Sequence, residues 1–149
     1  MSFSHRICII RRMNYLYYEF KISKICSVKE NQNTYHSYLS MSSFFNERCL
    51  ENGSSLKGRQ DAFIYQMHVK KFIPVIVSIK NQEIYFPNTS KKDPNCIWIN
   101  YANIQNVQYF KTHCIIQFKD HTHLECEHPK RIQHSLQLIF RYINKNAPA

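Results

Sequence analysis

Only two glycines occur in 149 residues, and both fall in one stretch, Gly53-Ser54-Ser55-Leu56-Lys57-Gly58-Arg59. Glycine reaches positive φ, or lets another group approach the backbone, without steric cost. A chain this poor in it must build its other turns from Asn, Asp, Ser and Pro, so the stretch marks a tight turn made for a purpose. The glycine spacing matches a P-loop, but the match stops there. A P-loop follows its second glycine with Lys and then Ser or Thr to hold phosphate and Mg²⁺, whereas Arg59 and Gln60 stand here. No buried parallel strand leads into the stretch either, so nucleotide hydrolysis is not expected. Glycine-permitted backbone amides, the Ser54 and Ser55 hydroxyls, and the Lys57 and Arg59 cations still suit a phosphate oxygen. Two readings stay open: a phosphate grip, or an ordinary tight turn solvated by Lys57.

On the N-terminal side, residues 15–25 mix aromatic and β-branched side chains as a strand does, with one slip of phase. Residues 35–41 read as a further strand, and residues 43–52 as a short helix ended by Gly53. Beyond the stretch, residues 62–69, 75–79 and 83–86 are rich in Val, Ile, Tyr and Phe and read as strands, punctuated by Pro74 and Pro87. Lys80-Asn81-Gln82 joins the last two as a hairpin, and Cys96-Ile97-Trp98-Ile99 follows a polar turn. Residues 113–118 and 122–127 alternate around Lys119-Asp120-His121 as a second hairpin. Ile132, Leu136, Ile139, Phe140 and Ile143 form one face of a helix over residues 130–144, opposite Arg131, His134, Gln137 and Arg141. The expectation is one α+β domain over residues 13–146, a mainly antiparallel β-sheet or partly open barrel, pleckstrin-homology-like in outline, closed by a C-terminal amphipathic helix. Met13 offers a second start, and residues 1–12 are expected to be a poorly structured leader.

Lys and Arg total 20 against 10 Asp and Glu, a formal charge of +10 that is the footprint of a polyanion binder. The cations are spread from Arg6 to Lys145, so any basic surface must be assembled by folding rather than carried on a tail. Residues 7–10 are too short for a secretion signal and precede Arg11-Arg12, and no stretch nears the roughly 20 apolar residues that span a bilayer. The six cysteines (Cys8, Cys26, Cys49, Cys96, Cys114 and Cys126) form no Cys-x-x-Cys pair and read as reduced thiols of a cytoplasmic protein.

His121, His123, Cys126 and His128 crowd together, but strand alternation sends His121 and His123 to one face and Cys126 and His128 to the other. Tetrahedral zinc needs convergent ligands, so no metal or other cofactor is expected. A cysteine nucleophile lacks any diagnostic spacing to a histidine, and cysteines beside apolar residues behave as small hydrophobes. The pairs Lys70-Lys71, Lys91-Lys92 and Lys130-Arg131 fall near the ends of predicted elements, where cations fan out from a sheet edge. With Arg59 they supply several phosphate contacts. The one strong helix spends its apolar face on the core, and no helix-turn-helix, zinc-finger or basic-zipper pattern is present.

Residues Cys49, Gly53-Ser54-Ser55 and Gly58-Arg59, then Pro74-Val-Ile-Val, Ile84-Tyr-Phe-Pro87-Asn-Thr-Ser90 and Cys96-Ile-Trp98-Ile99, resemble in order the ComK family of competence transcription factors. The resemblance implies a non-enzymatic activator that binds AT-rich double-stranded promoter DNA, largely through the minor groove. It implies self-associated subunits, a dimer or tetramer, that act with RNA polymerase on the nucleoid rather than at a membrane. A narrow AT-rich minor groove attracts inserted cations without a recognition helix. Gly53, Ser54, Ser55, Lys57, Gly58, Arg59, Lys70, Lys71, Lys91 and Lys92 are the expected DNA-contacting residues. The chain ends soon after Tyr142, where longer family members carry an extension used in adaptor-mediated proteolysis, so control by that route is not expected here. Two other classes stay open: a pleckstrin-like module whose basic face meets anionic lipid or protein, and a thiol enzyme.

Overall fold

The structure, a computed structural model, describes residues 13–147; the expected leader lies outside them. Among the described residues nine strands and three α-helices follow in the order β1 (Tyr15–Glu19), β2 (Lys24–Lys29), β3 (Gln32–Ser37), α1 (Met41–Glu51), α2 (Leu56–Met67), β4 (Val75–Ser78), β5 (Glu83–Pro87), β6 (Ile97–Asn100), β7 (Ile104–Tyr109), β8 (His113–Phe118), β9 (His123–Glu127) and α3 (Pro129–Asn146), with one 3-10 turn, Tyr101–Asn103, between β6 and β7. The strands form two open sheets, a six-stranded one ordered β3-β2-β1-β6-β5-β4 and a three-stranded one ordered β7-β8-β9. Every pairing is antiparallel. The α+β reading holds in its open-sheet form.

Side-chain alternation divides the large sheet between two cores. Ile76, Ile84, Phe86 and Ile99 pack with Phe63 and Met67 of α2, with Ile116 and Phe118 of the small sheet, and with Ile132 and Ile139 of α3. Their neighbours in the same strands, Val75, Val77, Tyr85 and Trp98, join Leu16 and Ile25 beneath Phe44, Phe45 and Cys49 of α1. Strands covered on both faces read as unbroken apolar runs, which is why residues 75–77 and 84–86 carry no polar alternation.

Four expectations need correction. Residues 35–41 are strand only as far as Ser37, since Ser40 caps α1 and Met41 begins it. Residues 62–69 are not a strand: most of them complete α2. Phe63 and Met67 are the buried pair, one helical turn apart, while Tyr65 between them is 82% exposed. β-propensity measures fit to a half-buried pleat, and a period of four overrides it. Residues 15–25 are two strands rather than one, and the slip of phase is their turn, with Ser23 at positive φ. In α3 the buried residues are Ile132, Ser135, Leu138, Ile139 and Tyr142, whereas Phe140 is 60% exposed. The expected stripe is thus rotated toward Leu138 and Tyr142. Strand β7, polar at Gln105, Asn106 and Gln108, had no apolar signature to announce it.

Candidate nucleic-acid interface

The two glycines do different work. Helix α1 starts at a capping box, Ser40 Oγ accepting from the Ser43 N–H, and ends in a Schellman turn. In that turn Gly53 N–H donates to the Leu50 carbonyl and Ser54 N–H to the Cys49 carbonyl, each at 3.2 Å, with Gly53 at φ +96°. The second glycine lies inside α2, whose N-cap is Ser55: Ser55 Oγ accepts from the Gly58 N–H at 2.9 Å. A Cβ on Gly58 would stand 2.7 Å from Ser54 Oγ, so the bare residue lets both hydroxyls close over the helix start. The expected loop is therefore a helix stop followed by a helix start. Its cations are engaged: Lys57 Nζ lies 2.7 Å from Asp61 Oδ2, and Arg59 Nη2 donates to the Asn52 carbonyl at 2.6 Å. Arg59 Nε is buried without a hydrogen-bond partner among the described residues. Arg59 straps the end of α1 to α2.

The four paired lysines converge. Lys70 and Lys71, on the connection from α2 to β4, face Lys91 and Lys92, on the connection from β5 to β6, across a cleft of about 480 Å³. Phe72, Ile73, Pro87 and Trp98 give it an apolar floor, and α2 reaches it through Gln60 and Ile64. No carboxylate lines it among the described residues. None of residues 53–59 lines it.

Both lips are held. On the first, His68 ends α2 in the left-handed region and donates its N–H to the Ile64 carbonyl, and Phe72 also has positive φ. The Arg131 guanidinium stands 4.0 Å from the centre of the Phe72 ring. Asn146 at the far end of α3 donates to Gln66 Oε1 at 2.8 Å, so α3 clasps the end of α2. On the second lip, Asn88 exchanges hydrogen bonds with Ile97 at 2.8 and 2.9 Å, and Asp93 accepts the Asn95 N–H at 2.8 Å. Trp98 beneath is wedged edge-on against Phe45, ring centres 5.1 Å apart. Of the third basic pair, Arg131 serves the first lip from behind rather than lining the cleft. Sequence reading found the lysines but not Gln60, Phe72 or Trp98, and only the uniqueness of Trp98 could have singled it out.

Thiol chemistry finds no support in the geometry. Cys26, Cys49, Cys96, Cys114 and Cys126 are free and buried. Burial pushes the Cys49 and Cys96 thiols up to about 11 and Cys126 to about 12. At neutral pH they stay protonated and weakly nucleophilic. His121, His123 and His128 are exposed while Cys126 is buried, and no cluster able to hold a metal ion occurs among the described residues. Nor is any helix among them long and apolar enough to cross a membrane.

Comparison with protein-family models returns one described as ComK protein, matching residues 10–137. Searches of the curated proteins and of the solved structures each returned no match.

Proposed function

Because the chain belongs to the ComK family, a family of competence transcription factors, we propose that it activates DNA-uptake genes by binding AT-rich promoter duplex, mainly through the minor groove. The observation that carries this reading is the meeting of Lys70, Lys71, Lys91 and Lys92 around one cleft without a carboxylate. Four ammonium groups from two separate connections form a positive site that only the folded chain possesses. They act as point charges toward phosphates, which sets position on the duplex rather than sequence. Selectivity then comes from the shape and negative potential of a narrow AT-rich groove. Lys57, exposed at the N-terminal turn of α2 beside Ser54, Ser55 and Gly58, extends the phosphate contact by its charge, since the Gly58 N–H is already given to Ser55 Oγ. Gly53 and Arg59 shape that turn.

The protein acts in this reading as a self-associated subunit on the nucleoid, in the cytoplasm, with RNA polymerase as its partner. The lipid alternative was built on a pleckstrin-like barrel; the two sheets here do not close into one. The test is a gel-shift titration of AT-rich and GC-rich duplexes of equal length across a salt series. Tighter binding to the AT-rich duplex, weakening with salt by about 0.9 in log–log slope per phosphate neutralised, is expected. Equal affinity for both, or binding indifferent to salt, overturns the reading.

A further inference from the structure

Phosphate binding uses the lysines of the cleft and leaves its floor unexplained. A duplex turns a convex row of phosphates to its partner and does not enter a cleft of about 480 Å³; only a unit protruding from it, or a free small molecule, does. That volume lies in the range of pockets that enclose small ligands. The lining is of two kinds: Lys70, Lys71, Lys91 and Lys92 share it with the apolar Trp98, Phe72, Ile73 and Pro87. A site for phosphate alone gains nothing from an aromatic floor. Aromatic faces are what nucleobases stack on, because every base has a π-face, and lysines beside them hold the flanking phosphates. The two rings are also fixed in place, Trp98, 8% exposed, by Phe45, and Phe72 by the Arg131 guanidinium over its ring, which leaves Phe72's other face as the one open to a base. Gln60 adds an amide at the wall, able to donate to and accept from the edge of a base.

We propose that the cleft is a subsite for one unstacked nucleotide, with its base on the Trp98 and Phe72 floor and its phosphates between the two lysine pairs. The nucleotide comes either from a strand opened beside the bound promoter or from a free nucleoside polyphosphate. For the strand source the inference rests on the duplex reading; for the free source it does not.

Trp98 is the single tryptophan of the chain, so its emission, excited at the red edge where tyrosine is silent, reports this cleft and the adjoining one that Trp98 lines with Tyr18, Leu39 and Asp93. The full-length protein is titrated with ATP, a single-stranded oligonucleotide and inorganic tripolyphosphate. Duplex binding is followed in parallel by gel shift. Saturable quenching by ATP or the oligonucleotide is expected, with a midpoint at least tenfold lower than for tripolyphosphate. The Lys70→Gln/Lys71→Gln variant, both residues being exposed and lining this cleft but not the adjoining one, should raise that midpoint at least tenfold while its circular dichroism is unchanged. Whichever of ATP and the oligonucleotide binds tighter identifies the source. Tripolyphosphate binding as well as ATP overturns the inference, as does unaltered quenching in the variant. A silent Trp98 at concentrations that shift duplex overturns it and leaves promoter binding intact. Quenching without a duplex shift supports it and removes the promoter reading instead.

Discussion

Arg48 of α1 and Glu83 of β5 meet as a two-pronged ion pair, Nε to Oε2 at 3.0 Å, with side chains only 6% and 3% exposed. Glu51 takes a further guanidinium nitrogen, and the Tyr85 hydroxyl donates to Glu83 Oε2 at 3.1 Å. Burial works against the Arg48 charge, but the bond to Glu83 and the surrounding negative groups hold its pKa above the ordinary value. The pair fastens α1 to the large sheet. Removing one partner strands a buried charge, so Arg48→Ala should lower unfolding stability by about 3–5 kcal/mol in urea melts. The double variant Arg48→Met/Glu83→Leu should recover much of that. A double variant as unstable as the single one would show that the pair is itself a source of net stability.

Asp120 yields a pH prediction. Partial burial would raise its pKa, but hydrogen bonds from the Thr122 hydroxyl and N–H, the Asn14 amide and the Glu30 N–H outweigh it and lower the value from 3.8 to about 2. These bonds tie the β8–β9 turn to the start of β1 and to the β2–β3 turn. A carboxylate with a depressed folded pKa stabilises fully above its unfolded value and loses that contribution as pH falls. Thermal melts should therefore show a wild-type loss between about pH 4 and 2. Asp120→Asn should be less stable at pH 7 and flatter across that window. Parallel pH curves for the two proteins would refute the assignment.

The cleft lysines predict a change of slope as well as of affinity. Lys70→Gln/Lys71→Gln and Lys91→Gln/Lys92→Gln should each weaken binding to AT-rich and GC-rich duplexes alike. Each should also reduce the log–log salt slope by roughly 1.8 if both lysines neutralise a phosphate. Gel shifts at four salt concentrations measure this.

Lys57 and Arg59 should separate. Lys57 shares its charge with Asp61, so Lys57→Ala should weaken DNA binding less than either double lysine variant. Arg59 donates to the Asn52 carbonyl at the end of α1, so Arg59→Ala should cost about 1–3 kcal/mol of stability in urea melts. Any binding loss should then follow the folded fraction. Full stability with abolished binding would instead make Arg59 a direct contact.

The buried thiols should be inert. In a Cys8→Ser background, iodoacetamide at pH 7.5 should label the native protein far more slowly than the urea-unfolded chain, followed by mass spectrometry. Rapid native labelling of Cys49 or Cys96 would revive the thiol-enzyme reading.

What the sequence made legible was local. The hairpin at Lys80-Asn81-Gln82, that at Lys119-Asp120-His121 and the C-terminal helix each carry their period and turn residues within a short window. Helix α2 escaped because Phe63, Ile64 and Tyr65 look like a strand until Tyr65 is seen to face solvent, which depends on tertiary packing. The cleft was half visible for the same reason. Lys70-Lys71 and Lys91-Lys92 are plain in the sequence, but their meeting depends on β4, β5 and β6 lying side by side. Glycine drew attention to residues 53–59, where it serves a junction between two helices rather than the concave site.

Strand β1 lies between β2, its immediate successor, and β6, which pairs Trp98 with Leu16. During synthesis at about 5–20 residues per second, β1 therefore waits several seconds with one side unmated. A growing polypeptide in that interval offers a template for any passing strand, so the yield of native protein should depend on chaperones more than its small size suggests.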